Sequence, residues 1–133
     1  MEELYVDPEI RATLIDLAVR NKTITYSRLN ADFDTGYNLQ DPDDRDGFAE
    51  DIQAISISEV KNGRPPISSV VVYKSGSVGK EMLESLYTMC TGLYDLDPET
   101  SSPNSKFLKS LQAKCNAYWK DSTNYRKFGP RKW

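Results

Sequence analysis

One segment of the chain has the composition of a strand that is buried on both faces. Residues 67–73 read Ile-Ser-Ser-Val-Val-Val-Tyr, and a short β-branched run bounded by turn signals is typical of such a strand. Pro65-Pro66 precedes it and favours an extended entry, and a glycine turn over residues 75–79 follows it. A second β-branched run, Thr23-Ile24-Thr25, predicts a brief strand. The sequence therefore predicts a small sheet centred on residues 67–74.

Helical periodicity dominates the rest of the chain. A first helix is predicted over residues 8–21, with Asp7 as the N-cap and Pro8 as the first helical residue. The length of 133 residues suits one domain, which we place at residues 1–124, followed by a basic aromatic tail at 125–133. The fold class is α+β: a mostly helical single domain with a small sheet and two further C-terminal helices. The other helices are predicted after Thr25 or Ser27, over residues 43–60, over residues 80–93, and from Ser102-Pro103 to Trp119.

The order of these elements resembles that of a winged helix. A helix, a short strand, two helices and a strand follow one another, as in this variant of the helix-turn-helix. Residues 43–60 would then be the recognition helix, yet its first half is strongly acidic. DNA carries closely spaced phosphate charges, so these carboxylates oppose major-groove reading by this helix. They predict an acidic surface for a protein partner, or simply carboxylates that complement the helix dipole. The residues concerned are Asp43, Asp44, Asp46, Glu50 and Asp51.

Charge is divided unevenly along the chain. Residues 1–60 carry 14 acidic and 5 basic side chains, whereas residues 61–133 carry 6 acidic and 12 basic ones. This asymmetry predicts a molecule with one acidic and one basic face. The C-terminal part also interleaves basic and aromatic residues, as in Tyr125-Arg126-Lys127-Phe128, a combination that can stack bases while pairing phosphates. The same aromatics could build an interface between copies of the chain.

The glycine turn joins the predicted strand to the helix that begins near Lys80. Free amide groups at a helix start, together with neighbouring lysines and hydroxyls, can hold a phosphate or a carboxylate. The turn is not a P-loop, because only two residues separate its glycines and Glu81 follows the lysine. Its small residues also fit a tight turn without a ligand. The candidate ligand-binding residues are Arg64, Tyr73, Lys74, Ser75, Gly76, Ser77, Gly79 and Lys80.

Several kinds of chemistry are excluded or disfavoured by residue type. The chain contains no histidine, which rules out Ser-His-Asp catalysis, Cys-His catalysis and imidazole ligation of a metal. Cys90 and Cys115 fall within apolar helical patterns and predict two buried thiols, although a disulfide between them is geometrically allowed. The segment 41–47 fails as an EF-hand loop, because Arg45 occupies its fifth position. No catalytic residue, cofactor or metal is predicted, and we expect a protein that is not an enzyme.

Two segments resemble a known family. Lys22-Thr23-Ile24-Thr25-Tyr26-Ser27-Arg28-Leu29 and the stretch from Asn62-Gly63-Arg64-Pro65-Pro66 through Lys74 are similar to the TITYxxL and GxPPLSxxVV segments of a family of small bacterial and phage proteins with no established activity. The resemblance covers roughly residues 10–90. After the turn the family more often has Pro-Gly-x-Gly-Phe, where this chain has Val78-Gly79-Lys80-Glu81-Met82. The resemblance implies a prokaryotic or phage origin and a setting either in a mobile element or in host–phage conflict.

These observations together favour a binding protein. We expect it to sequester a phosphate-bearing small ligand such as a nucleotide, or to occlude a partner protein. The alternative is a winged-helix-like nucleic-acid-binding protein that uses the basic C-terminal half. No run of about 18 apolar residues occurs, and the acidic start, Met1-Glu2-Glu3-Leu4-Tyr5, lacks the features of a signal peptide. We therefore expect a cytoplasmic protein without a membrane partner.

Overall fold

The computed structural model describes residues 6–74, 76, 78–90 and 105–130. Within these ranges the chain forms helices joined by short connections and two brief strands, so the predicted mostly helical α+β class is confirmed. The elements in chain order are α1 (Pro8–Val19), β1 (Ile24–Thr25), α2 (Tyr26–Phe33), α3 (Pro42–Lys61), a 3₁₀ helix (Ile67–Val70), β2 (Val71–Val72), α4 (Lys80–Cys90), α5 (Ser105–Lys120) and α6 (Ser122–Phe128).

Local capping chemistry sets the starts of the first three helices. The Asp7 carboxylate accepts hydrogen bonds from the amides of Glu9 and Ile10, so the predicted start of α1 is confirmed. The Thr25 hydroxyl accepts the Arg28 amide at 3.1 Å, which confirms one of the two predicted caps of α2. Helix α3 begins at Pro42, with Asp41 as its cap, one residue before the predicted start.

The predicted strand over residues 67–73 is only partly present. Residues Ile67–Val70 form a 3₁₀ helix, and the strand is restricted to Val71–Val72. Backbone amides in the first half are bonded elsewhere: Ser68 donates to the Ser56 hydroxyl at 2.9 Å, and Ser69 donates to the Pro66 carbonyl at 3.2 Å. These bonds replace the ladder that a longer strand would need.

The two strands form a small parallel pair. Ile24 is opposite Val71, and Thr25 is opposite Val72. Val71 and Val72 are both buried, as the valine run predicts. The helix predicted after the glycine turn is confirmed, since α4 begins at Lys80. No strand lies between β2 and α4 among the residues described there, so the second strand of a wing is not seen in this part of the chain.

Apolar side chains form two buried clusters. The first joins α1, α2, α3 and α5, around Leu14, Ile52 and Trp119. The second packs α4 against the start of α5, around Leu86 and Phe107. No helix in the described ranges has the length and the apolar composition needed to cross a lipid bilayer.

The two cysteines are free, buried thiols, as predicted. Cys115 belongs to the first cluster and Cys90 to the second. Burial raises the pKa of Cys115 to about 12 and that of Cys90 to about 11. A thiol is a nucleophile only when it is deprotonated, so both side chains are unreactive at neutral pH.

Three charged residues lie in the interior as one cluster, which we call the buried triad: Arg11, Glu59 and Arg64. Glu59 is fully buried, and its two carboxylate oxygens bind the Nε atoms of both arginines, at 2.5 Å for Arg11. The guanidinium group of Arg11 lies 5.6 Å from the Trp119 ring centroid. The guanidinium group of Arg64 lies at the same distance from the Phe128 ring centroid, and its Nη2 has no hydrogen-bond partner within the described ranges. Buried charges are tolerated only when they are paired and hydrogen-bonded, so the triad ties α1 to the end of α3.

The triad also holds α6. Arg11 Nη2 donates to the Phe128 carbonyl at 2.7 Å, and Arg11 Nη1 donates to the Gly129 carbonyl at 3.0 Å. A cation at the C-terminal end of a helix complements the helix dipole and satisfies carbonyls that have no partner within the helix. Helix α6 crosses the predicted boundary between residues 124 and 125, and residues 131–133 of the predicted tail lie outside the described ranges.

Candidate functional site

A cleft of about 650 Å³ opens between the start of α2, the first half of α3 and the start of α4. Its volume lies within the range of small-molecule sites in proteins. Three rings form what we call the aromatic wall: Tyr26, Phe48 and Tyr73. Charged side chains of both signs form what we call the charged rim: Arg45, Asp46, Glu50, Lys80 and Glu81.

Strand register places two tyrosines of the aromatic wall side by side. Each follows a strand of the parallel pair, Tyr26 after β1 and Tyr73 after β2. Their ring centroids are 5.3 Å apart, with 42° between the ring planes. Phe48 meets Tyr26 edge to face, with the centroids 6.3 Å apart. Such rings offer flat apolar surfaces to an aromatic ligand.

The two tyrosines differ in exposure. Tyr73 is 45% exposed, so much of its ring surface faces solvent. Tyr26 is half-buried, and desolvation together with the neighbouring Tyr73 raises its pKa to about 12. The Tyr26 hydroxyl therefore stays protonated at neutral pH and is a hydrogen-bond donor. Tyr73 is the ring of the wall that is open to a ligand.

The start of α4 brings backbone amides to the cleft that have no hydrogen-bond partner among the described residues. The first intrahelical bond runs from the Leu83 amide to the Gly79 carbonyl at 3.0 Å. The amides of Lys80, Glu81 and Met82 precede it, and such amides carry a partial positive charge. A Cβ atom on Gly79 would lie 3.4 Å from the Tyr73 hydroxyl oxygen, so the end of the turn packs closely against that ring.

Of the predicted ligand-binding residues, some line the cleft and others do not. Tyr73, Gly79 and Lys80 line the cleft. Lys74 and Gly76 are exposed in the turn but do not line the cleft, and Gly76 has a positive φ of 86° that a tight turn requires. Ser75 and Ser77 lie outside the described residues.

Arg64 is placed apart from the turn. Its side chain is 4% exposed, and Glu59 binds its Nε. It does not line the cleft. The arginine of the predicted set is thus part of the buried triad.

The five predicted acidic residues also differ in whether they bond within the chain or line the cleft. Two serve the fold: Asp44 accepts the Asn38 amide at 2.9 Å, and Asp51 accepts the Tyr37 hydroxyl at 2.7 Å. The Asp51 bond raises the pKa of Tyr37, because it stabilises the protonated phenol. Asp46 and Glu50 line the cleft. Asp43 is exposed in the first turn of α3 and does not line it.

Sequence reasoning missed part of the site. Tyr26, Phe48 and Arg45 line the cleft, yet none is among the candidate ligand-binding residues. The available signal was the placement of Tyr26 and Tyr73 directly after two β-branched runs. Parallel pairing of those runs brings the residues that follow them to the same edge.

The aromatic wall, the charged rim and the start of α4 together line one cleft. The described ranges contain no group of three or more cysteine, aspartate or glutamate side chains arranged to hold a metal ion. No protein-family model, curated protein or solved structure matches the chain.

Proposed function

We propose that the cleft binds a nucleotide and holds it unchanged, so that the protein withdraws this ligand from solution. The observation that carries the proposal is the meeting of an exposed aromatic ring, two cationic side chains and the amides of a helix start in one cleft of suitable volume. A nucleotide has a flat base, which fits the aromatic wall, and a phosphate group, which fits the cationic side chains and the start of α4.

The base would stack on the aromatic wall. Base–aromatic stacking contributes about 1–3 kcal/mol per base and tolerates different bases. Tyr73 offers the exposed ring, and the Tyr26 ring packs against it with 5.3 Å between the centroids. A supported ring loses little conformational freedom when a ligand stacks on it.

The phosphate would lie at the start of α4. Lys80 and Arg45 are exposed and line the cleft, and the amides at the helix start add a favourable field for an anion. This arrangement binds a phosphate without the P-loop pattern.

Retention without turnover is supported by the side chains at the site. Both thiols are buried and have raised pKa values, and neither lines the cleft. The chain offers no imidazole as a general base. A captured nucleotide would leave solution in proportion to the amount of protein, which fits host–phage conflict, one of the two settings that the family resemblance implies.

A thermal-shift and calorimetric screen of nucleotides tests the proposal. We expect one nucleotide class to raise the melting temperature and to be recovered unaltered after prolonged incubation. Lys80→Ala and Arg45→Ala should each weaken binding about tenfold or more, since a hydrogen bond to a charged group contributes about 1.5–3 kcal/mol. Lys109→Ala, an exposed lysine on α5 that does not line the cleft, is the matched control. Product formation, or equal loss in the control variant, would overturn the proposal.

A protein partner receives weaker support from the acidic residues. The carboxylates of Asp44 and Asp51 are engaged within the chain, which leaves Asp43, Asp46 and Glu50 to meet a partner. If such docking were the function, neutralising Asp43 would weaken it while leaving nucleotide binding unchanged.

A winged-helix-like nucleic-acid binder is the second candidate. Helix α6 carries the exposed aromatics Tyr125 and Phe128 beside the exposed cations Arg126 and Lys127, and the order of α1, β1, α2, α3 and β2 suits such a fold. Binding to single-stranded DNA should then weaken steeply between 50 and 200 mM salt, on the order of a thousandfold for six phosphate contacts. Fluorescence anisotropy with Arg126→Ala and Lys127→Ala would measure it.

A further inference from the structure

We infer that the cleft selects guanine nucleotides, with Asp46 and Glu50 as the residues that read the base. The inference rests on the proposed function, since it names the ligand class of the same cleft. The acidic residues of α3 differ in what their side chains contact, and Asp46 and Glu50 are the ones that line the cleft.

Asp46 and Glu50 are the carboxylates of α3 that line the cleft and have no partner for their side chains within the described ranges. Asp44 and Asp51, on the same helix, are bonded to the segment that precedes α3. Asp46 and Glu50 are four residues apart, so both project from the same side of α3. They lie in a cleft that is also lined by aromatic rings, by the cations Arg45 and Lys80, and by a third carboxylate, Glu81 on α4.

The chemistry of a carboxylate determines which base edge it can meet. An ionised carboxylate has two acceptor oxygens and no donor. Guanine presents two adjacent donors, the N1–H and the 2-amino group, which fit a carboxylate in a bidentate, charge-assisted pair. Adenine places an acceptor nitrogen beside its amino group, so a carboxylate meets one donor and one repelling lone pair. Hypoxanthine keeps the N1–H and lacks the amino group.

Stacking of the base and binding of the phosphate do not use the carboxylates of Asp46 and Glu50, so these remain available to the polar edge of the base. A base stacked on Tyr73 with its phosphate near Lys80 uses the aromatic wall and the start of α4. The polar edge of the base then needs acceptors, and α3 provides them. A site built around donors of the ligand rejects analogues that lack those donors, because its own polar groups are then left unpaired.

Isothermal titration with GMP, IMP and AMP tests the inference, because GMP and IMP differ only in the 2-amino group. We expect GMP to bind about tenfold or more tightly than IMP, as the loss of one charge-assisted hydrogen bond predicts. Asp46→Asn and Glu50→Gln should lower GMP affinity toward that of IMP. Asp43→Asn removes the same charge from α3 outside the cleft and should leave the preference intact.

The possible results distinguish guanine selection from the proposed capture of nucleotides. Equal affinity for GMP and IMP would overturn the guanine assignment and leave nucleotide capture standing. A preference for GMP that survives both cleft substitutions would overturn the role of Asp46 and Glu50. Failure of all three nucleotides to bind, while another nucleotide raises the melting temperature in the screen, would overturn the guanine assignment alone. Failure of every nucleotide in the screen would overturn the capture function and the inference with it.

Discussion

Arg11 and Gly129 are 118 residues apart in the chain, and Arg11 Nη1 donates a hydrogen bond of 3.0 Å to the Gly129 carbonyl. The same guanidinium group binds the Phe128 carbonyl and the Glu59 carboxylate. One side chain of α1 therefore connects the end of α3 to the end of α6. The stability of the domain depends on acceptors from both.

Loss of the Glu59 charge should destabilise the protein strongly. Glu59→Gln would leave two buried guanidinium groups without a counter-charge, and breaking a buried pair costs about 3–5 kcal/mol. Urea denaturation followed by circular dichroism measures the change. Asp32→Asn removes a carboxylate from the exposed Arg28–Asp32 pair on α2 and should cost less than about 1 kcal/mol. Similar losses in the two variants would contradict a structural role for the triad.

A methyl group on Gly129 should loosen the end of α6. A Cβ atom there would lie well under 3.0 Å from the Tyr125 carbonyl oxygen, and a backbone atom cannot move aside cheaply. We expect Gly129→Ala to cost roughly 1–3 kcal/mol and to speed hydrogen exchange in α6. Lys127→Ala, an exposed change on the same helix, should have little effect. Unchanged exchange in Gly129→Ala would show that the close approach of Gly129 to the Tyr125 carbonyl does not constrain this segment.

Stacking on Tyr73 should depend on its ring and not on its hydroxyl. Tyr73→Ala should weaken nucleotide binding by about 1–3 kcal/mol, which is about 5- to 150-fold. Tyr73→Phe keeps the ring and should bind nearly as well as the unmodified protein. Because Tyr73 is 45% exposed, neither change should unfold the domain. Calorimetry distinguishes the variants, and equal affinity in all three proteins would remove Tyr73 from the site.

The free energy of unfolding should fall as pH rises above about 9. Burial raises the thiol pKa values from 9.0 to about 11 for Cys90 and about 12 for Cys115. The unfolded chain therefore loses these protons first, so stability is fully present below pH 9 and declines as pH rises through 11 and 12. Tyr26, raised from 10.0 to about 12, adds to the decline at higher pH. Urea midpoints at pH 8, 9 and 10 measure this slope.

Cys115→Ala provides the control for this pH dependence. It removes one titrating thiol, so the slope should become shallower whatever the absolute stability of the variant. An unchanged slope would show that Cys115 does not retain its proton in the folded state.

Elements whose signals are local were predictable from the sequence. Asp7 and Thr25 cap α1 and α2 as their residue types indicate, because a cap bonds to amides within three residues. The predicted strand at 67–73 was largely wrong, because the Ser68 amide bonds to the Ser56 hydroxyl of the preceding helix, α3, and not to a neighbouring strand. Valine and isoleucine content does not reveal a partner that arrives from elsewhere in the fold.

The buried triad was missed for a related reason. Charged residues on a helix are usually solvated, and Arg64 was assigned to ligand binding. A signal was present, since Arg11 lies at helical spacing with the buried Ile15 and Ala18, and Glu59 lies at such spacing with Ile52 and Ile55. A charged residue on an apolar helix face indicates a buried partner, but the sequence does not identify it.

Part of the candidate site could be predicted from the sequence. Tyr73, Gly79 and Lys80 adjoin the glycine turn and were found from the turn alone. The opposite side of the cleft comes from α2 and α3. It could be predicted only if the parallel register of β1 and β2 were already known.

The bond between Arg11 and Gly129 also has a consequence for synthesis of the chain. A ribosome makes α1 long before residue 129, so the Arg11 side chain has no access to its carbonyl acceptors until α6 has been made. Glu59, the counter-charge of Arg11, is made before α6. The guanidinium group of Arg11 can therefore gain its full set of acceptors only after α6 has left the exit tunnel.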